Sequence, residues 1–201
     1  MLVIGLTGPS GAGKGEVARL LASHSIPVVD ADRVYHQLLV PPSPCLDALC
    51  AHFGTQILSN EGTLDRIALG AIVFSDPNAL ADLNAIAHRF VMDRVRAILA
   101  EWKAAGVSAA VLDAPQLFEA GADRDCDTIV AVLADKHVRL ARIMKRDGIS
   151  AERAEARMKS QLSDEFFRAH AQHVIENEGE LNMLAQKVRA LLLQLGVAIC
   201  D

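Results

Sequence analysis

Short apolar runs alternate along this chain with longer stretches in which apolar residues recur at helical spacing. Short runs bounded by turn residues are typical of buried β-strands, whereas a period near 3.6 residues indicates amphipathic helices. We predict strands at residues 2–7, 26–32, 109–113, 128–133 and 173–176. Because strands and helices alternate, we expect a single α/β domain over residues 1–201, closed by a helix at about 180–195.

Between the second and third strands the pattern is helical throughout. The helices predicted there span residues 46–53, 64–74, 78–87 and 90–105. A connection of this length exceeds an ordinary crossover between strands. We therefore predict a helical insert over about residues 37–106 and interpret it as a substrate-binding lobe. His88, where two of the predicted helices meet, is either a polar contact to the substrate or a structural histidine.

The first strand is followed by a glycine-rich turn with a clear chemical meaning. Residues 8–14 are Gly-Pro-Ser-Gly-Ala-Gly-Lys, and a helical pattern follows them. A strand, the GxxxxGK motif and a helix in this order form a phosphate-binding loop. Glycines allow backbone N–H groups to surround an oxyanion, and the helix N-terminus adds partial positive charge. The residues predicted to bind nucleotide phosphate are Gly8, Gly11, Ala12, Gly13, Lys14, Gly15 and Glu16.

The two residues after Lys14 depart from the usual form of this loop. A Ser or Thr normally follows the lysine and binds Mg²⁺ through its hydroxyl, but here Gly15 and Glu16 follow. A carboxylate about 4 Å from a phosphate charge would cost on the order of 4 kcal/mol at an effective dielectric constant of about 20. Either Glu16 points away from the nucleotide, or a magnesium ion lies between the two charges.

Acidic residues end two of the later strands. The second predicted strand ends in Asp30-Ala31-Asp32, and the third ends in Asp113. Ligands of an open α/β sheet bind beyond the carboxyl ends of its strands, so we expect these acids at the rim that holds Lys14. Asp30 and Asp32 suit Mg²⁺ handling or general-base catalysis, and Asp32 alternatively suits a helix N-cap. The candidate metal-binding residues are Asp30, Asp113 and Glu16.

Arginines concentrate in one region of the C-terminal half. Arg142 and Arg146 lie one helical turn apart, and Arg153 and Arg157 repeat that spacing. A mobile arginine-rich segment beside a triphosphate can stabilise charge on the transferring phosphoryl group. We predict a lid at about residues 142–165, in which Arg142 and Arg146 bind phosphate. Arg153 is assigned to a solvated charged face.

Composition and charge restrict the partners of the chain. Of 201 residues, 51% are hydrophobic and 22% charged, which is an ordinary globular composition. The net charge of −5 argues against binding a nucleic-acid duplex, which requires a basic surface. The four cysteines have no paired spacing for zinc or redox chemistry, and the N-terminal apolar run is too short to span a membrane. We expect a cytoplasmic protein with free thiols and neither a membrane nor a nucleic-acid partner.

Motifs spread over nearly the whole chain resemble, in the same order, those of the dephospho-coenzyme A kinases. The family's strand and glycine-rich loop match residues 2–14, and its Asp-x-Asp pair matches residues 30–32. The later matches are Phe-Gly at 53–54, Gly-x-Leu at 62–64, Leu-Asn-x-Ile-x-His at 83–88, Pro-x-Leu-Phe-Glu at 115–119, Arg-x-x-x-Arg-Asp at 142–147, Arg-x-x-x-Gln at 157–161 and Val-Ile-x-Asn-x-Gly at 174–179. Each motif is unspecific alone, whereas the ordered series is specific to the family.

This resemblance implies a three-layer P-loop kinase fold with a five-stranded parallel sheet, a helical substrate-binding insert and a lid. It implies transfer of the γ-phosphoryl group of ATP, with Mg²⁺, to the 3′-hydroxyl of dephospho-CoA, the last step of coenzyme A synthesis. By the same resemblance, Lys14 contacts the outer phosphates and Asp32 accepts the hydroxyl proton. The residues that it implicates in catalysis are Lys14, Asp30, Asp32 and Arg142. The substrate contacts that it implies are Asp30, Asp32, His88, Leu117 and Phe118, and lid contacts to ATP come from Arg142 and Arg146.

Departures from the family pattern concern activity more than fold. Gly15 replaces the loop hydroxyl, Gln116 replaces a leucine, and Arg89 replaces a proline. Two other hypotheses stay open: another P-loop kinase that acts on a nucleotide or a different small molecule, and a nucleotide-binding module without catalysis. The retained Lys14, the acidic pair and the lid arginines favour a kinase whose small-molecule partners are ATP and dephospho-CoA. We expect it to be a monomer or a weak homo-oligomer.

Overall fold

A five-stranded sheet organises the chain in the computed structural model, which describes residues 1–177 and 179–198. The strands are β1 (Leu2–Thr7), β2 (Val28–Asp30), β3 (Ala109–Asp113), β4 (Thr128–Leu133) and β5 (His173–Glu176). Their order in the sheet is β2-β3-β1-β4-β5. β1 pairs in parallel with both β3 and β4, and β4 pairs in parallel with β5. The prediction of an α/β fold with a five-stranded parallel sheet is confirmed.

Most of the nine helices in the described part of the chain begin at a capping side chain. Their bounds are α1 (Lys14–Ser23), α2 (Ala31–Leu38), α3 (Pro44–Phe53), α4 (Arg66–Val73), α5 (Pro77–Ala104), α6 (Lys136–Asp147), α7 (Ala151–Lys159), α8 (Asp164–His170) and α9 (Leu181–Gln194). Side-chain oxygens accept a hydrogen bond from the first helical turn at the N-caps Asp30, Ser43, Asp65, Asp135, Ser150 and Ser163. Gly148, in the left-handed conformation, ends α6 as its sequence position predicts.

Apolar side chains of the sheet alternate between two packed faces. On one face, residues of β1 and β4 pack with α1 and α9 in a buried cluster. Leu6, Leu21 and Leu192 belong to this cluster. On the other face, Ala131 and Leu133 of β4 pack with Phe167 of α8. Because β4 contributes buried residues to both faces, helices cover the sheet on its two sides, as the three-layer fold requires.

The chain divides into two compact units, Met1–Val29 with Trp102–Asp201, and Asp30–Glu101. The second unit has its own core, to which buried residues of α3 and α4 contribute, Leu49 and Val73 among them. This helical unit overlaps the insert predicted at 37–106. Among the described residues, no helix is long and apolar enough to cross a membrane.

Two local predictions in this part of the chain are wrong. The predicted helices at 78–87 and 90–105 form one helix, α5, because His88 and Arg89 between them neither break a helix nor cap one. The second strand is shorter than predicted and ends at Asp30. The Asp30 carboxylate accepts the N–H of Arg33 at 3.0 Å, so Asp30 rather than Asp32 is the N-cap of α2.

Cysteines in the described part of the chain carry free thiols at positions 45, 50 and 126. Cys200 lies outside the described residues. Burial, together with the negative charges of Asp125, Asp123 and Asp127, raises the pKa of Cys126 to about 12. The Cys126 thiol is therefore protonated and unreactive at neutral pH.

Adjacent leucines of α9 provide a direct test of this packing. Leu192 is fully buried, whereas the neighbouring Leu193 is 65% exposed. We expect Leu192→Ala to lower the free energy of unfolding by roughly 2–5 kcal/mol, because it leaves a cavity in the sheet core. Leu193→Ala makes the same chemical change at the surface and should stay within about 0.5 kcal/mol of the wild type. Urea denaturation measures both, and equal losses would contradict the assigned core.

Candidate active site

The glycine-rich loop lies at the carboxyl end of the central strand. β1 ends at Thr7, the loop spans residues 8–13, and α1 begins at Lys14. β1 is flanked by β3 and β4, so the order of the sheet reverses at this point. Open α/β sheets bind their ligands at such a switch point. The topology therefore places the predicted phosphate-binding loop where a ligand is expected.

A close contact with backbone at Gly8 and one with a side chain at Gly13 explain two glycines of the loop. Gly8 has a φ of +144°, and a Cβ there would lie 2.2 Å from the carbonyl oxygen of Val132. Gly13 has a φ of +97°, and a Cβ there would lie 2.0 Å from Nδ2 of Asn177. Gly13 is also the N-cap of α1 and offers no side-chain hydrogen bond. The first N–H groups of α1 have no partner within the helix, so they can bind an anion.

Lys14 and Asp113 form an ion pair at the same rim. The ammonium of Lys14 contacts Oδ1 of Asp113, and the two side chains are only 17% and 8% exposed. Lys14 and Asp113 lie close together because β1 and β3 end at the same rim, where Leu6 of β1 pairs with Asp113 of β3. The sequence prediction that these two residues share a rim agrees with this geometry. The site combines a cation suited to phosphate with a carboxylate suited to a metal ion.

Carbonyl groups of the loop are held by donors from outside it. Nη1 of Arg142 donates to the carbonyl oxygens of Gly11 and Ala12, at 3.2 Å each. Nδ2 of the buried Asn177 donates to the Ala12 carbonyl at 2.7 Å. Protein side chains thus satisfy these acceptors, and Arg142 is brought directly to the loop, as its predicted role requires.

A second arginine of α6 also reaches the loop. Arg146 donates through Nη2 to the hydroxyl of Ser10 at 3.1 Å and forms an ion pair with Asp147 at 2.8 Å. The hydrogen bond from Arg146 and the charges of Arg146 and Arg157 lower the pKa of Asp147. Asp147 therefore stays ionised and orients both arginines. Arg153 is exposed, which fits its assignment to a solvated face.

Glu16 and Gly15 occupy the first turn of α1. Glu16 forms an ion pair with Arg19, one turn further along the helix. Its other oxygen, Oε1, is buried and has no hydrogen-bond partner among the residues that the structure describes. A Cβ at Gly15 would meet nothing within 4 Å. There is therefore room at position 15 for the Ser or Thr side chain that is usual in this loop. Glu16 places one carboxylate oxygen without a hydrogen-bond partner near the loop.

The remaining predicted polar residues lie in the helical unit. The Asp30 carboxylate is committed to capping α2, whereas the exposed Asp32, in the first turn of α2, has no side-chain partner among residues 1–177 and 179–198. His88 lies inside α5 and is half-buried. Asp32 is therefore the member of the acidic pair that is available to accept a proton. The roles of Asp30, Asp32 and His88 stay predictions.

The residues after β3 differ in exposure. Leu117 is fully buried and would lie 3.0 Å from a Cβ at Gly5, so it supports the sheet rather than lining a surface. Phe118 is half-buried and meets the rings of Phe166 and His170, with ring centroids 5.3 and 5.9 Å away. Of the predicted pair, only Phe118 presents a surface that a substrate can touch.

Metal binding has no preformed set of protein ligands among the residues that the structure describes. Within the described residues, no group of three or more His, Cys, Asp and Glu side chains could hold a metal ion. The Asp113 carboxylate and Oε1 of Glu16 are nevertheless oxygen donors of the kind that Mg²⁺ prefers. These residues fit an ion that arrives with a nucleotide and keeps most of its ligands as phosphate oxygens and water.

Fold and loop together define a P-loop kinase: a parallel sheet, a phosphate-binding loop at its switch point and arginines that reach the loop from α6. The dephospho-CoA kinase family model matches residues 2–183. The chain belongs to the dephospho-CoA kinase family.

Individual relatives agree with this assignment. The chain is 39% identical to dephospho-CoA kinase of Syntrophotalea carbinolica, over 97% of this chain and 92% of that protein. It is 41% identical to the Streptomyces avermitilis dephospho-CoA kinase, over 94% and 91% of the two chains. A crystal structure of TT1252 from Thermus thermophilus has a TM-score of 0.81 and 34% identity, and covers 96% of this chain and 97% of its own. Shikimate kinase from Acinetobacter baumannii shares the fold alone, with a TM-score of 0.54, 18% identity and coverage of 98% and 96%.

Sequence reasoning missed several residues that hold the loop in place. Arg139 and Ser10 were given no role, and Gln161 and Asn177 were matched only as family motifs. The motif Arg-x-x-x-Gln was the one available signal for Gln161. Contacts of this kind join residues more than 120 positions apart, for example 10 with 139, and leave no local periodic pattern.

Gly13 and Gly15 allow a matched test of the loop. We expect Gly13→Ala to destabilise the protein by roughly 1–3 kcal/mol and to abolish tight ATP binding, because its backbone is left-handed and its Cβ would overlap Asn177. Gly15→Ala should stay within about 1 kcal/mol of the wild type, because that position is open and helical. Thermal denaturation and calorimetric titration with ATP measure the two effects. Similar behaviour of the two variants would show that the loop geometry is wrong.

Proposed function

We infer that this kinase transfers the γ-phosphoryl group of ATP to the 3′-hydroxyl of dephospho-CoA and so forms coenzyme A. The single observation that carries the proposal is the family match over residues 2–183, joined to an intact Lys14 at the switch point of the sheet. A binding module without catalysis need not keep the full set of charges, which comprises the loop lysine, two arginines and an unpaired aspartate. These residues support an active enzyme.

The protein's contribution to the reaction is position and charge. N–H groups of the loop and the ammonium of Lys14 bind the phosphates, and Arg142 and Arg146 balance charge that develops on the transferred group. Asp32 accepts the proton of the 3′-hydroxyl while the new O–P bond forms and the bond to the ADP oxygen breaks. Asp32 is chosen over Asp30 because the Asp30 carboxylate already accepts the N–H of Arg33.

Magnesium enters this proposal bound to ATP. Its charge would lower the repulsion between the phosphates and an incoming oxygen. Asp113 and Glu16 are the carboxylates of the loop region that would hold it, directly or through water. Asp30, also predicted as a metal ligand, has one oxygen committed to α2 and is the weaker candidate.

Substrate choice is tested by ADP formation from ATP and Mg²⁺, with and without dephospho-CoA. We expect turnover with dephospho-CoA and none with adenylate or cytidylate, because the chain matches this family along its length. Turnover only with a nucleotide would identify a different P-loop kinase. ATP binding without turnover of any acceptor would identify a non-catalytic module.

Lys14→Ala tests the phosphate loop directly. We expect kcat to fall about a hundredfold or more, because a charge that stabilises the transferring phosphoryl group is lost. The variant should remain folded by circular dichroism, and Lys14→Ala/Asp113→Asn relieves the carboxylate left without its ammonium partner. Lys145→Ala removes an exposed lysine of α6 and serves as the matched control. Wild-type turnover in Lys14→Ala would contradict the loop assignment.

A further inference from the structure

Ser10, in the middle of the phosphate loop, has every one of its polar groups held by a different side chain. Its N–H donates to Oε1 of Gln161 at 3.1 Å. Its carbonyl oxygen accepts from Nε of Arg139 at 3.1 Å, and its hydroxyl accepts from Nη2 of Arg146 at 3.1 Å. Within the described part of the chain, no other loop residue has its N–H and its carbonyl both bound by side chains.

Arg139, which binds the Ser10 carbonyl, is itself held in place. Arg139 is 5% exposed, and its charge is compensated by Asp164, the first residue of α8, at 2.8 Å. Its backbone is packed so closely on the loop that a Cβ at Gly11 would lie 2.7 Å from the Arg139 carbonyl oxygen. Gln161 follows α7 and lines a cavity of about 330 Å³ that Arg139 and Asp164 also border. The loop is thus attached to the junction of α6, α7 and α8.

The bond to Gln161 determines which N–H groups of the loop can bind phosphate. An amide that already donates to a side-chain oxygen is no longer available to an anion. Gln161 accepts the N–H of Ser10, and within the loop the Pro9 carbonyl accepts the N–H of Ala12 at 3.2 Å. The groups left for phosphate are therefore those of Gly11 and Gly13 and of the start of α1. Gln161 is neutral, so it does this without placing a negative charge beside the phosphates.

We propose that Gln161 is a positioning residue for the kinase reaction: it orients the phosphate loop through the N–H of Ser10, while Arg139 holds the carbonyl of the same residue. The inference rests on the proposed function, since it concerns the binding of ATP. It adds a residue that touches neither substrate but sets the direction of the N–H groups that do.

Gln172 supplies a matched control within the same unit. Its Oε1 accepts the N–H of Ile129 at 2.8 Å, so it makes the same kind of bond as Gln161. Ile129 lies near the amino end of β4, however, whereas the loop follows the carboxyl end of β1. Loss of either bond costs stability, but only loss of the Gln161 bond should alter ATP binding.

The experiment compares Gln161→Met, Gln161→Glu and Gln172→Met in the full chain. Met keeps the length of the side chain and removes the acceptor, whereas Glu keeps an acceptor oxygen for the N–H of Ser10. We expect Gln161→Met to weaken ATP binding about threefold to tenfold, the equivalent of one hydrogen bond, with KM for dephospho-CoA unchanged. Hydrogen exchange of the Ser10 amide should accelerate in Gln161→Met and return to the wild-type rate in Gln161→Glu. Gln172→Met should lower Tm and leave ATP affinity unchanged.

Each outcome has a defined meaning. Equal losses of Tm in Gln161→Met and Gln172→Met, with wild-type ATP affinity in both, would overturn the inference and leave Gln161 a structural residue. Unchanged exchange of the Ser10 amide in Gln161→Met would overturn it as well. A wild-type protein that binds no ATP would overturn the proposed function first, which separates that failure from the failure of the positioning role.

Discussion

The close approach of the phosphate loop to the carboxyl ends of β4 and β5 is the constraint on which the site depends. Gly8 lies against the Val132 carbonyl, and Gly13 lies against the Asn177 amide, at distances that no side chain can enter. The sheet thereby dictates glycine at both positions. Since the loop can move toward neither strand, its N–H groups keep one direction, and the chemistry of phosphate binding follows from backbone packing rather than from any reactive side chain.

The cations around this loop differ in how deeply they are buried and in how closely they are paired with acids. Lys14, at the end of the loop, is largely buried with Asp113, and Arg139, which contacts the loop, is neutralised by Asp164. Arg142 and Arg146 of α6 are more exposed, and Arg146 is shared between Asp147 and Ser10. Buried cations are thus paired with acids at close range, whereas the cations nearer the solvent keep part of their hydrogen-bonding capacity. This order suits a site that must accept a highly charged ligand without leaving unpaired charge in its interior.

Sequence patterns located the parts of the molecule whose signal is local. Apolar runs identified all five strands, and the loop motif predicted a nucleotide-binding α/β protein before any contact was known. The continuity of α5 and the capping of α2 by Asp30 were missed, because helix bounds depend on single capping bonds that weak propensities do not resolve. The network around Ser10 could not be predicted, since its members are distant in sequence and meet only when α6 and the segment after α7 pack against the loop.

The contacts of Arg142 and Arg146 with the loop have an entropic consequence. A long arginine side chain carries about 2 kcal/mol of rotamer entropy, and a binding site usually loses that freedom when its ligand arrives. Here the carbonyls of Gly11 and Ala12 restrict Arg142, and the Ser10 hydroxyl restricts Arg146. Their ordering therefore takes place during folding, as part of the stability of the domain. In the proposed role of these arginines, ATP would meet guanidinium groups that are already confined, so more of their attraction for phosphate would be retained as affinity.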